Sequence, residues 1–106
     1  MGRVITLLET TTVTAAGDTA GDQHNCQMVD DEGGAVQFLI TAGTCTEIEL
    51  QGRLHPDMGW VELATSGALS SAGTAEVLQT GVAILPQMRA VMKGATGASV
   101  LVGLME

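Results

Sequence analysis

No window of the chain sustains the i, i+3, i+4, i+7 apolar stripe of a long helix; only Met88–Lys93 fits either helix or strand. Instead, short runs rich in Val, Ile, Leu and Thr are cut at short intervals by clusters of Gly, Thr, Ser and Ala. Such punctuation suits an antiparallel β protein, because β-branched residues fill pleated, half-buried surfaces and small residues supply the turns. It predicts strands at Val4–Ala15, Gln27–Val29, Ala35–Thr41, Glu47–Leu54, Trp60–Ala64, Glu76–Thr80, Val82–Leu85, Met88–Lys93 and Ser99–Met105. The stretches Ala16–Asn25 and Ser66–Thr74 carry turn chemistry and are expected to be loops. With 106 residues, no internal repeat and no linker, the expectation is one all-β domain over residues 1–106. Its form is a single antiparallel β-sandwich of about seven to nine short strands.

Two hairpins follow from side-chain alternation. In the first, Ile48, Leu50, Gly52 and Leu54 share one face and face Val61 and Leu63 across a four-residue turn, His55-Pro56-Asp57-Met58. Only registers that keep both apolar sets together are allowed, so Leu50 should pair with Leu63 and Gly52 with Val61. The same register sets Arg53 against Trp60 on the outer face, a cation–π contact of about 0.5–1 kcal/mol at an exposed site. The second hairpin joins Met88–Lys93 to Ser99–Met105 through Gly94-Ala95-Thr96-Gly97-Ala98, with Met92 opposite Val100, Ala90 opposite Val102 and Met88 opposite Leu104. Its other face mixes Val91, Leu101 and Met105 with Arg89 and Lys93, so a second layer or another subunit is expected to cover it.

Charge excludes whole classes of partner. Four basic residues stand against twelve acidic ones, a net charge of −8. Nucleic-acid binding needs a cationic footprint, and docking on an anionic membrane needs the same, so neither is expected. No run of about 18 apolar residues is present to span a bilayer. Met1-Gly2-Arg3-Val4-Ile5-Thr6 fits a loose myristoylation pattern, but Val4 to Leu8 reads as the first strand, and the chain looks cytosolic in origin.

Residues with reactive side chains do not assemble into a legible centre. His55 and Asp57 flank a proline in the turn just described, where Pro fixes φ and Asp bonds its own backbone. His24, Cys26, Cys45 and His55 lack the paired short spacings of zinc ligands, and the two cysteines are expected to be reduced. Asp30-Asp31-Glu32-Gly33-Gly34 lacks the alternation of a calcium loop and reads as an acidic hairpin tip. No nucleophile elbow, dinucleotide loop or phosphate loop occurs. The expectation is therefore a non-enzymatic protein with no catalytic residue, cofactor or metal.

The run I-E-L-Q-G-R-L-H-P-D-M-G-W-V-E-L-A-T, followed by V-A-I-L-P-Q-M-R-A-V-M-K-G-A-T-G-A-S-V-L-V-G-L-M-E, carries a resemblance. Asp57-Met58-Gly59-Trp60, then Leu85-Pro86 with Arg89-Ala90 and Gly94, then Val100 to Leu104, resemble small all-β accessory structural proteins of tailed-bacteriophage virions. The likeness covers residues 46–106 and rests on structural motifs. It implies a capsid decoration or cement subunit, made in the host cytoplasm and residing in the virion. Its partners would be the major capsid protein or other virion subunits, together with copies of itself. The expected contact residues are Val91, Leu101, Met105, Arg89, Arg53 and Trp60. Thr10 and Thr12 of the Thr-rich N-terminal segment are further candidates, since chain ends reach neighbours by strand addition. A glycan-binding module of a phage tail or host-recognition protein, working through Trp60 and Arg53, is the alternative.

Overall fold

The computed structural model describes residues 4–9, 15–26 and 33–105. Among the described residues nine strands follow in chain order: β1 (Val4–Glu9), β2 (Ala15–Ala20), β3 (His24–Asn25), β4 (Gly34–Cys45), β5 (Glu47–Arg53), β6 (Val61–Thr65), β7 (Leu69–Ser70), β8 (Glu76–Val82) and β9 (Gln87–Met105). Every pairing between them is antiparallel. The all-β sandwich expected from the sequence is what forms. Gln27–Val29, Thr10 and Thr12 lie outside the described residues.

One element organises the rest. β9 is 19 residues long and belongs to both layers. Its C-terminal half lies between β1 and β4 in a first sheet, where β8 and β7 also pair with β4. Its N-terminal half lies between β5 and the β2–β3 edge in a second sheet, where β6 pairs with β5. β4 and β5, separated only by Thr46, pass between the layers in the same way. The sandwich is thus one sheet curled over on itself. The Gln79 side-chain amide donates to the Thr65 carbonyl and ties β8 to β6.

The expected Met88–Met105 hairpin is therefore not formed. Gly94 and Gly97, at φ +62° and +55°, do not turn the chain back. Each takes up one extra residue in β9: Ala15, Gly17 and Thr19 of β2 oppose Ala98, Ala95 and Met92, two steps on one strand against three on the other. These are β-bulges, which bend a strand and raise its twist, and here they carry β9 from one sheet into the other. Met88, Ala90, Met92, Ala95, Ala98, Val100, Val102 and Leu104 all point inward and are buried. They meet Val36, Phe38 and Ile40 of β4, Ile48 and Leu50 of β5, and Leu7 and Leu8 of β1 in one core. Where β4 crosses β9, the backbones of Gly43 and Gly97 touch so closely that a Cβ at position 43 would overlap the Gly97 carbonyl.

Other boundaries move for the same reason, that β9 offers two long edges to pair. The expected loop Ala16–Asn25 holds most of β2 and all of β3. The described part of Val4–Ala15 divides between β1 and the first residue of β2. The expected loop Ser66–Thr74 contains β7, and Val82 ends β8 rather than starting a strand of its own.

The β5–β6 hairpin is present, with Gly52 opposite Val61 as expected. Leu50, however, pairs with Ala64 and not Leu63, because the register slips between Leu50 and Gln51. Leu54 and Val61, expected to face inward, are mostly exposed.

Candidate interaction surfaces

On the outer face of the second sheet the register places Trp60 beside Arg53, and Glu62, Gln51 and Arg89 in one row across β6, β5 and β9. The guanidinium carbon of Arg53 lies 4.3 Å from the Trp60 ring centroid and that of Arg89 4.4 Å. The Arg53–Trp60 contact is the one expected from the hairpin. Arg89 joins it because the N-terminal half of β9 lies against β5, a placement no local signal announces. Arg53 donates through Nε to Gln87 Oε1 (2.7 Å), through Nη2 to Gln23 Oε1 (2.9 Å) and through Nη1 to the Met58 carbonyl (3.3 Å). Arg89 Nε donates to Gln51 Oε1 (2.8 Å). Among the described residues neither guanidinium is paired with a carboxylate. Burial, and then repulsion from Arg53, hold the Arg89 pKa below the ordinary arginine value.

Further along the same face Gln51 Nε2 donates to Glu49 Oε1 (3.0 Å), and Lys93 Nζ lies 2.8 Å from Glu49 Oε2. The Lys93 hydrogen bond, followed by that of Gln51, holds the Glu49 carboxyl below its usual range; the Glu49 bond holds Lys93 above its own. Carboxylate oxygens of Glu47, Glu49 and Glu62 approach within 4.8 Å of one another. Lys93 already compensates part of that charge, and Thr65 Oγ1 donates to Glu47 (2.8 Å). Val91, expected as an exposed contact, is only 8 % exposed: Glu49 and Ala20 flank it across the sheet, and Arg89 and Lys93 flank it along β9.

Leu101 and Met105 belong to the other layer. The outer face of the first sheet aligns Val4, Met105 and Ala35 in one row, Thr6, Gly103, Gln37 and Leu78 in the next, and Leu101 with Leu39 in a third. Val4 is 72 % exposed, Leu78 59 %, Met105 47 % and Leu101 37 %. Gly103 presents no side chain at the centre of this patch. A hollow of about 220 Å³ opens there, lined by Val4, Ala35, Gln37, Leu78, Gly103 and Met105. Glu9, and Glu76 accepting a 2.7 Å bond from Gln37, stand at its rim. Leu101 and Met105 were legible in the sequence; Val4 and Leu78 were not, since β1 and β8 become their neighbours only through β9 and β4.

A second apolar concavity lies at the end of the β5–β6 hairpin. A groove of about 510 Å³ is walled by Arg53, Leu54, Met58, Trp60, Val61 and Leu63, with Leu85 behind. Its floor is Gly52, where a Cβ would stand 2.8 Å from Leu63 Cδ1 and 2.9 Å from Met88 Sδ. The connection above it is the expected turn: Met58 N–H donates to the His55 carbonyl (3.0 Å) and Asp57 N–H to His55 Nδ1 (3.1 Å). His55 and Asp57 lie 3.7 Å apart and open to solvent. Cys26 and Cys45 are not joined in a disulfide, and burial pushes the Cys45 pKa up.

No family model, curated protein or solved structure matches the chain. The surfaces are therefore read from their own chemistry. The eight expected contact residues fall into three groups: Arg53, Trp60 and Arg89, with Val91 beneath, on one layer; Leu101 and Met105 on the other; Thr10 and Thr12 outside the described residues.

Proposed function

We propose that the chain is a non-enzymatic structural subunit of a virion, of the capsid decoration or cement type, acting through contacts with the major capsid protein or other virion subunits and with copies of itself. The observation that supports this reading is the exposed apolar patch on the first sheet. Val4, Leu78 and Met105 line a hollow on a four-stranded face, and Leu101 stands exposed on the same face. Contiguous apolar surface of this kind marks protein contact sites, and a recessed centre ringed by apolar side chains is the form in which a few buried anchors supply most of the affinity. Repeated copies on a lattice then gain through multivalency what one contact lacks.

The test is a Leu78→Asp/Leu101→Asp double variant studied by sedimentation velocity, alone and with capsid particles lacking accessory proteins. The parent protein should form oligomers or co-sediment with particles. The variant should do neither while keeping its β circular-dichroism signal. A monomeric parent that ignores particles refutes the proposal, and unchanged association of the variant refutes the assigned face.

The alternative, a glycan-binding module of a tail or host-recognition protein, draws on Trp60 with Arg53 and Arg89 at its ring. A glycan array that lights up with the parent and goes dark with Trp60→Ala would favour it over the decoration reading.

A further inference from the structure

Two features meet at the tip of the β5–β6 hairpin. One is the groove floored by Gly52 and walled by Leu54, Met58, Val61, Leu63 and Leu85. The other is the pair of guanidinium groups on the Trp60 ring. Arg53 and Trp60 belong to both, so the apolar concavity runs up to the ring on which Arg89 also rests. Small-ligand sites have this form: a concavity of about 300–1,000 Å³, mostly apolar, with a few polar groups that fix orientation.

The charge of the wall is unusual for the protein that carries it. The chain holds four basic residues and a net charge of −8. Two of the four converge on one aromatic ring, and neither has a carboxylate partner among the described residues. Among the described residues Arg53 is held by neutral acceptors only, Gln87, Gln23 and the Met58 carbonyl, and Arg89 uses Nε on Gln51, which leaves both terminal nitrogens of its fork for another acceptor. Burial first, and then the neighbouring Arg53 charge, lower the Arg89 pKa, and a bound anion would compensate both. Arginine forks match carboxylates in a bidentate geometry.

We infer that this wall and groove form a binding site for a small amphiphilic carboxylate, its anionic head on Arg53 and Arg89 beside Trp60 and its apolar body along the groove against Leu54, Met58, Val61 and Leu63. The site is on the opposite layer from the association patch proposed above and stands independently of it. Neutral apolar molecules fill the groove but leave the cations uncompensated. Small hydrophilic anions meet the cations but bury nothing.

The chain's only tryptophan reports the site directly. Decanoate below its micelle concentration is titrated into the full chain, followed by Trp60 emission and by calorimetry, with decanol and acetate as matched controls. Decanoate should bind saturably and shift the emission, decanol should bind at least about tenfold more weakly, and acetate should have no effect at the same concentrations. Arg53→Gln and Arg89→Gln should each weaken decanoate binding by about tenfold, with thermal melts showing the fold retained. Val61→Glu, a carboxylate added to an exposed wall position, should weaken decanoate while leaving the melt unchanged. Equal affinity for decanol and decanoate, indifference to both arginine variants, or no saturable binding each overturns the assignment. So does an emission shift that tracks protein concentration without ligand, since the occupant would then be a second copy.

Discussion

The crossing of β4 over β9 gives a sharp test of the fold, through Gly43→Ala with Gly81→Ala as its reference. Both glycines sit in the left-handed region, at φ +73° and +69°. A Cβ there costs about 1–2 kcal/mol at either site for conformational reasons alone. The two differ in what surrounds the added methyl. At Gly81 nothing lies within 4 Å, whereas at Gly43 the methyl overlaps the carbonyls of Gly97 and Thr96, which are backbone and cannot rotate away. Relieving that overlap requires β4 and β9 to separate at the point where both change layers, a packing penalty of about 1–3 kcal/mol. Gly43→Ala should thus lose about 2–5 kcal/mol in total and Gly81→Ala about 1–2. Unfolded-state entropy changes equally in both and cancels in the comparison. Urea denaturation by circular dichroism reads the difference: with m near about 1–3 kcal/mol/M, the two midpoints should stand about 1 M apart. Coincident midpoints would show that the close approach of Gly43 to Gly97 is not a feature of the native fold.

Other outcomes follow from the same structure. Phe38→Ala, which empties the largest fully buried side chain, should cost about 3–5 kcal/mol in the same urea assay. Glu49 carries a depressed carboxyl pKa, so its contribution is present above the ordinary glutamate value of 4.5 and is lost as pH falls through the lower folded value. Glu49→Gln should accordingly flatten the acid limb of a stability-against-pH curve below about pH 4.5 and leave its slope at neutral pH unaltered. Thiol labelling of the native protein should modify half-buried Cys26 well before Cys45, whose burial both shields the sulfur and disfavours the thiolate; a peptide map after brief alkylation shows the order.

Much of this architecture is written locally and some of it is not. The β5–β6 hairpin is legible because alternation on both strands and the turn residues agree, and with it came the Arg53–Trp60 contact. β9 is ambiguous in the sequence because its apolar residues satisfy two different structures. Met88, Ala90 and Met92, then Ala98, Val100, Val102 and Leu104, occupy even positions, so either a hairpin or a doubly bulged strand hides them all. Two bulges restore the parity that one would invert, and only Ala95, in the core at an odd position, separates the alternatives. The choice is made by β5 and β4, which supply edges dozens of residues away. Arg89 at Trp60 and the patch completed by Val4 and Leu78 depend on that same choice, so they share its illegibility. β2 is illegible for another reason. Ala15-Ala16-Gly17-Asp18-Thr19-Ala20 has weak strand preference and is held by the free edge of β9.

β9 also governs when the protein can fold. Five other strands, β1 to β5, have partners on it, while residues up to 86 can form only the β4–β7, β4–β8 and β5–β6 pairings without it. A nascent chain that has not yet released Gln87–Met105 from the ribosome therefore exposes the apolar faces of β4 and β5 with nothing to cover them. Folding dominated by such distant pairings is slow and leaves sticky intermediates. Once β9 docks, it closes both layers in one step, and neither sheet can open without pulling the same strand out of the other.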